Sequence, residues 1–209
     1  MAEQEETYKG VILSNEGENF SAGANVAMIF MMAVEQEYDE LDFAIRAFQN
    51  TTIRLRHSSI PVIVAPHGLT LGGGCELCLH ADKVIANAES YIGLVEMGVG
   101  LIPGGGGTKE FAKRFSQEMK EGDIRLNAIR YKLLTVGQAK VATSAYDDFE
   151  LGYLREGTDE VVVSRAHQLA YAKDVCLDMA NKGHQQPAKV KDIRVVGNEG
   201  MGIVYVGAH

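Results

Sequence analysis

Pro61-Val62-Ile63-Val64-Ala65-Pro66-His67-Gly68-Leu69-Thr70-Leu71-Gly72-Gly73-Gly74-Cys75-Glu76 holds a strand, a glycine turn and the start of a helix in one short stretch. The apolar run between Pro61 and Pro66 reads as a buried strand, and proline at each end confines it. Three glycines then allow backbone conformations that side chains forbid, and residues 75–81 read as helical. The same succession recurs on either side. Upstream, residues 10–15 form a short apolar run ended by turn formers, which leads to a glycine turn at Gly23. Downstream, residues 83–86 and then 90–93 read as extended, and Pro103 with glycines 104–107 makes a second glycine loop before a helix from about Thr108. Strand, glycine turn and helix alternate, which predicts an α/β fold for the first half.

Residues 26–57 are helical in pattern, with Met28, Phe30, Met31 and Val34, then Leu41, Ala44, Ile45, Phe48 and Ile53, at three- and four-residue spacing. That stripe is expected to pack into the core. The second half reads as helices at 124–134, 146–151 and 164–182, with a brief extended piece at 161–163. Its tail, from Ile193 onward, is rich in valine and glycine and is expected to be extended.

The chain has 209 residues, 46% of them hydrophobic and 23% charged, the balance of an ordinary globular domain. A net charge of −8, with no basic run longer than the Arg54-Leu55-Arg56-His57 stretch, argues against nucleic acid and anionic lipid as partners. No apolar run has the length of a membrane span. The opening Met1-Ala2-Glu3-Gln4-Glu5-Glu6 is acidic, unlike a signal or transit peptide, and three cysteines make no secreted disulfide framework. A cytoplasmic protein is the expectation.

Two carboxylates stand out, Glu76 after Gly72-Gly73-Gly74-Cys75 and Glu96 after Gly93-Leu94-Val95, twenty positions apart (96 − 76 = 20). Backbone amides at a glycine turn that opens a helix are fixed dipoles, suited to negative charge developing on a carbonyl oxygen. Two carboxylates facing one water could orient it and exchange protons at carbon. A capping role for Glu76 and a solvated position for Glu96 fit the same spacing, and the residues alone leave both readings open.

Asn19-Phe20-Ser21-Ala22-Gly23-Ala24-Asn25, Gly72-Gly73-Gly74-Cys75-Glu76 and Leu94-Val95-Glu96 followed by Ile102-Pro103 and glycines 104–107 with Thr108 resemble, in order and spacing, the enoyl-CoA hydratase/isomerase (crotonase) family. The resemblance covers roughly residues 8–185 and is nearest to the hydratase portion of long bifunctional chains that also carry 3-hydroxyacyl-CoA dehydrogenase. It implies a crotonase-like ββα spiral core in residues 1–115, with the family's first strands missing and a sheet edge left open. Residues 116–209 would form a helical C-terminal region that packs a homotrimer or a dimer of trimers. It further implies that Glu76 and Glu96 are the catalytic pair and that the Ala24 and Gly73 amides form an oxyanion hole. Ala22, Gly23, Asn25, Val26, Ala27, Gly72, Leu94, Pro103 and Gly104 would join them in binding an acyl-CoA thioester as substrate, without a cofactor or metal. Both glutamates together point to a lyase that hydrates enoyl-CoA in fatty-acid beta-oxidation. The alternatives are a delta-isomerase or a catalytically incomplete piece of a bifunctional enzyme. Asn25, where many members have Asp, and Ala27, where some have a basic residue, depart from the pattern.

Other motifs are set aside. Cys75 and Cys78 with His80 lack a second pair of metal ligands and are expected to be small buried residues. Gly98-Val-Gly100-Leu-Ile-Pro103 has proline where a dinucleotide fingerprint needs glycine. Glycines 104–107 precede Thr108-Lys109, the reverse of a phosphate loop's order. The six histidines are scattered and carry no expected role.

Overall fold

The computed structural model describes residues 2–119, 125–195 and 197–207. A strand–strand–helix unit winds three times. The first turn runs from β1 (Val11–Leu13) through Ser21, which bridges to Thr70, into α1 (Val26–Val34) and α2 (Tyr38–Arg56). The second is β2 (Val62–Val64), β3 (Gly68–Leu71) and α3 (Gly73–His80). The third is β4 (Lys83–Asn87), β5 (Ser90–Gly93), a 3-10 turn over Glu96–Val99, and α4 (Gly107–Glu118). Beyond the spiral lie α5 (Arg125–Gly137), α6 (Ala145–Leu151), β6 (Glu160–Val162), α7 (Arg165–Asn181) and α8 (Asn198–Gly207).

Successive turns stack in register. The first strand of each turn joins a parallel sheet in the order β1-β2-β4-β6, with Val11 opposite Val62, Val64 opposite Val84 and Ile85 opposite Glu160. The second strands make a smaller parallel sheet, in which Gly68 to Leu71 of β3 face Ser90 to Gly93 of β5. The α/β fold expected from the alternation of elements, and the ββα spiral implied by the family resemblance, are what the chain adopts. β2 is buried on both faces, as a central parallel strand must be. Its pleat sends Val64 toward Val84, Ile92 and Leu94, and Ile63 toward Ile85 and the Ala172 and Cys176 of α7. Each fully buried aliphatic side chain there contributes about 1.5–3 kcal/mol.

Three expectations are corrected. The helical pattern over 26–57 is two helices, broken where Gln36 takes a φ of 61° between α1 and α2. The methionine and phenylalanine stripe is not core: no residue of α1 is buried and Phe30 is 66% exposed. The reason is position, because α1 packs on the outer side of α2 and no described residue covers its far face. The tail from Ile193, expected to be extended, is irregular to residue 195 and helical over α8, since α8 packs against α5 and that contact overrides the valine and glycine preference. The predicted helix start at Ile124 lies outside the described residues. The brief extended piece near 161 becomes β6, a fourth strand of the main sheet.

Candidate active site

Leu71 and Gly93 are register partners at the ends of β3 and β5, and both strands lead straight into the candidate carboxylates. Glu76 lies five residues after the first and Glu96 three after the second (76 − 71 = 5; 96 − 93 = 3). Gly72 is the hinge. Its φ is +54°, and a Cβ there would lie 3.2 Å from Glu96 Oε1 and 3.7 Å from Gly23 Cα. A glycine is therefore needed for the turn at 23, the turn at 72 and Glu96 to come together.

Glu76, in the first turn of α3, is 1% exposed. Its Oε2 accepts the Gly105 N–H at 2.9 Å and its Oε1 the Gly107 N–H at 2.7 Å. Burial pushes its pKa up, and the neighbouring Glu96 charge adds to that, while the two amides and Lys109 oppose it; the outcome is about 7. Glu96 is half-buried, and burial raises its pKa too, against its own amide and that of Val95. Glu96 Oε2 is buried and has no hydrogen-bond partner among the described residues. One carboxyl is thus poised to gain or lose a proton near neutrality, and the other keeps a free acceptor beside it.

The loop over 104–107 fits closely around Glu76. A Cβ on Gly105 would strike the Phe48 ring and lie 2.5 Å from Glu76 Oε2, and one on Gly107 would lie 3.1 Å from Glu76 Oε1. Three carbonyls of this loop are held from outside. Gln49 Nε2 donates to Gly104 O at 2.8 Å, Thr52 Oγ1 to Gly105 O at 2.8 Å, and the Glu110 N–H to Gly106 O at 3.0 Å.

The remaining expected residues fall around this centre. Ala22, Gly23, Ala24, Asn25, Val26 and Ala27 form an exposed segment next to Gly72. Asn25 has a structural task as well, since its Oδ1 caps α1 by accepting the Met28 N–H at 3.1 Å. Gly73 is half-buried against the Phe48 ring, so Ala24 and Gly73 each follow one of two neighbouring glycines. Pro103 is buried and Gly104 half-buried. Leu94 is part of the hydrophobic core, and its N–H donates to the Tyr153 hydroxyl at 3.2 Å.

Behind Glu76 lies a polar cluster. His80 Nδ1–H donates to Glu76 O at 2.7 Å, and Nε2 accepts from Lys109 Nζ at 2.9 Å, an assignment that follows because a carbonyl can only accept. Burial lowers the His80 pKa to about 4, so the ring is neutral. Glu110 is buried as well; burial alone would raise its pKa, but Arg56 at 2.6 Å, with Lys113, His80 and Lys109, brings it to about 2. Arg56 also donates to Leu79 O. His80, which carried no expected role in the sequence, is the last residue of α3 and fully buried. Cys75 and Cys78 are small core residues as expected, and burial pushes both thiols up. A cavity of about 430 Å³ lies elsewhere, between α4, α5 and α6, and touches neither candidate glutamate.

Residues 1–131 match the family described as enoyl-CoA hydratase/isomerase, which is more than half of the chain. The chain belongs to that family. Among its relatives is a Bacillus subtilis protein described as a probable 3-hydroxyacyl-CoA dehydrogenase, 41% identical over 208 residues, which are 100% of this chain and 26% of that protein. A fatty acid oxidation complex subunit alpha of Shewanella loihica is 35% identical over 105 residues, 49% of this chain and 14% of the relative. The chain thus spans about a quarter or less of these relatives. The crystal structure of an enoyl-CoA hydratase from Bacillus anthracis superposes with a TM-score of 0.66 at 28% identity, covering 86% of this chain and 61% of that one. The hydratase/isomerase chain accordingly has the crotonase fold.

Sequence reasoning found the two glutamates and both glycine loops but missed Phe48, Gln49, Thr52, His80 and Glu110. A signal for His80 was present, because position 80 lies one helical turn after Glu76. For Gln49 and Thr52 there was none: they reach the loop from α2, across 55 and 53 residues of chain.

Proposed function

We propose that this family member hydrates a 2-enoyl-CoA thioester to the 3-hydroxyacyl-CoA, with Glu76 and Glu96 as the acid–base pair. The observation that carries this reading is a buried Glu76 carboxyl near neutrality, raised in part by the charge of Glu96, while Glu96 Oε2 has no hydrogen-bond partner among the described residues. Hydration needs a base for water and an acid for the alpha carbon, so two carboxyls close enough for the charge of one to act on the other meet both needs. Double-bond isomerisation needs only one shuttle, and the free Glu96 oxygen favours the two-carboxyl chemistry. The amides of Ala24 and Gly73 would take the thioester oxygen, as donors fixed before the reaction begins.

The same proposal includes assembly as a trimer or dimer of trimers through residues 116–209, a dehydrogenase domain on the same polypeptide, and a cytoplasmic location. The name of the Bacillus subtilis relative supports the second. Among the described residues no helix is long and apolar enough to cross a membrane.

The test is turnover of a short 2-enoyl-CoA, followed by loss of the conjugated enoyl absorbance, with a 3-enoyl-CoA alongside. Glu76→Gln and Glu96→Gln are each expected to lower kcat by about 10²–10⁴, with an unchanged circular dichroism spectrum. Near-normal turnover in either variant refutes the pair. Preference for the 3-enoyl substrate replaces hydration by isomerisation.

A further inference from the structure

The Gly105 N–H that holds Glu76 belongs to the peptide group joining Gly104 to Gly105, and the other end of that planar group is the Gly104 carbonyl. Gln49 Nε2 donates to that carbonyl at 2.8 Å while the N–H donates to Glu76 Oε2 at 2.9 Å. We propose that Gln49 is a positioning residue for Glu76, acting through this single peptide. The inference rests on the reading of Glu76 as a catalytic group.

The loop needs an external hold because it cannot supply its own. A peptide between two glycines has wide conformational freedom, and Gly105 has no room for a Cβ between Phe48 and Glu76. Stiffness therefore has to arrive through hydrogen bonds to the loop's carbonyls. Of the two peptides that face Glu76, the one ending at Gly107 is fixed by the first turn of α4, where the Glu110 N–H reaches Gly106 O. Among the described residues, the carbonyl of the one ending at Gly105 is held only by a side chain, that of Gln49. A bond accepted at the carbonyl also polarises the N–H at the other end, which strengthens its hold on a carboxylate. Thr52 holds the intervening peptide through Gly105 O, and that peptide's N–H is not donated to Glu76.

The charged and titratable groups around Glu76 are unaltered by a change at Gln49. They are Glu96 after β5, Lys109 on α4, Cys75 and His80 on α3, and Glu110 behind them. Gln49 is exposed on α2, so Gln49→Leu keeps a good helix former at a surface position.

Gln49→Leu and Thr52→Val would be compared with the unaltered full-length protein by two readouts. One is the titration of the Glu76 carboxyl by ¹³C NMR, assigned with Glu76→Gln; the other is the pH dependence of kcat and KM. Gln49→Leu is expected to raise the Glu76 pKa by about half to one unit. It should lower kcat about 3- to 10-fold at pH 7, with KM within about twofold and the kinetic limb moving with the NMR value. Thr52→Val is expected to move the titration less. An unchanged Glu76 titration in Gln49→Leu overturns the proposal, as does an equal shift in both variants, which would mean general loosening of the loop. A shift specific to Gln49→Leu in a protein that fails to hydrate enoyl-CoA upholds the positioning role and removes the hydratase reading instead.

Discussion

Replacing Asp148 with alanine is expected to stabilise the protein by an amount that grows with pH. Asp148 sits on α6 at 0% exposure, and neither carboxyl oxygen has a hydrogen-bond partner among the described residues. Burial raises its pKa from the ordinary 3.8 to about 9; the Ile92 amide opposes this and the Asp147 charge adds to it. Because the folded pKa exceeds the unfolded one, the native state binds the extra proton, and stability falls as pH climbs from about 4 toward 9. At pH 7 the separation from 3.8 corresponds to about 4 kcal/mol, at 1.36 kcal/mol per unit. Alanine removes that cost and leaves a carboxyl-sized gap worth roughly 1–2 kcal/mol, while the backbone bonds from Tyr153 and Leu154 to Asp148 O remain. The net gain is about 2–3 kcal/mol at pH 7 and close to nothing near pH 4.5. Urea unfolding at several pH values between 5 and 8 measures it, and the difference between the two proteins should rise by about 1.4 kcal/mol per unit. Parallel stability curves would show that Asp148 finds a partner in the folded protein and would refute the reasoning.

Two further outcomes follow from the buried polar groups. Glu110→Gln leaves the Arg56 guanidinium buried without its counter-charge and is expected to cost about 3–5 kcal/mol, read as a lowered urea midpoint; a loss below about 1 kcal/mol would mean that Arg56 reaches solvent. In the unaltered protein the depressed Glu110 pKa makes its contribution complete above the unfolded value of 4.5 and lost as pH falls toward about 2. Gly105→Ala places a methyl group against Phe48 and Glu76 Oε2 and is expected to lower kcat roughly a hundredfold. Unchanged turnover would show that the loop does not rest on Glu76.

The alternation of strand, glycine turn and helix was readable because its signals are local. Proline-bounded and turn-bounded apolar runs mark β1, β2 and β4, and glycine at 23, 72 and 106 takes positive φ where the chain reverses. Glu76 was readable for the same reason, because it follows a glycine turn, and Glu96 because a carboxylate after the apolar run over 91–95 is out of place. What could not be read were matters of partnership. The stripe over α1 has the composition of a core helix, but whether a helix is core depends on what covers it, and periodicity carries no such information. The extended reading of the tail failed likewise, because the contact with α5 decides its conformation. Gln49 and Thr52 look like ordinary surface polar residues until the fold brings α2 to the glycine loop.

Three buried carboxyls show how this fold sets proton affinity. Asp148, Glu76 and Glu110 are all at most 1% exposed, so desolvation is severe for each, yet their pKa values are about 9, about 7 and about 2. What differs is the partner. Asp148 has no hydrogen-bond partner among the described residues, Glu76 has two glycine amides but also the charge of Glu96, and Glu110 has a guanidinium with two lysines near it. Unpartnered burial gives a group protonated throughout the physiological range, and a full ion pair gives one that is always ionised. Neither can exchange a proton at pH 7. Neutral amides stabilise a carboxylate less than a cation does, and so leave Glu76 between these limits. The spare glycines at 105 and 107 are what allow amides, rather than side chains, to approach it. An arginine in their place would hold Glu76 as firmly as Arg56 holds Glu110, and acid–base chemistry near neutrality would be lost with the gain in stability.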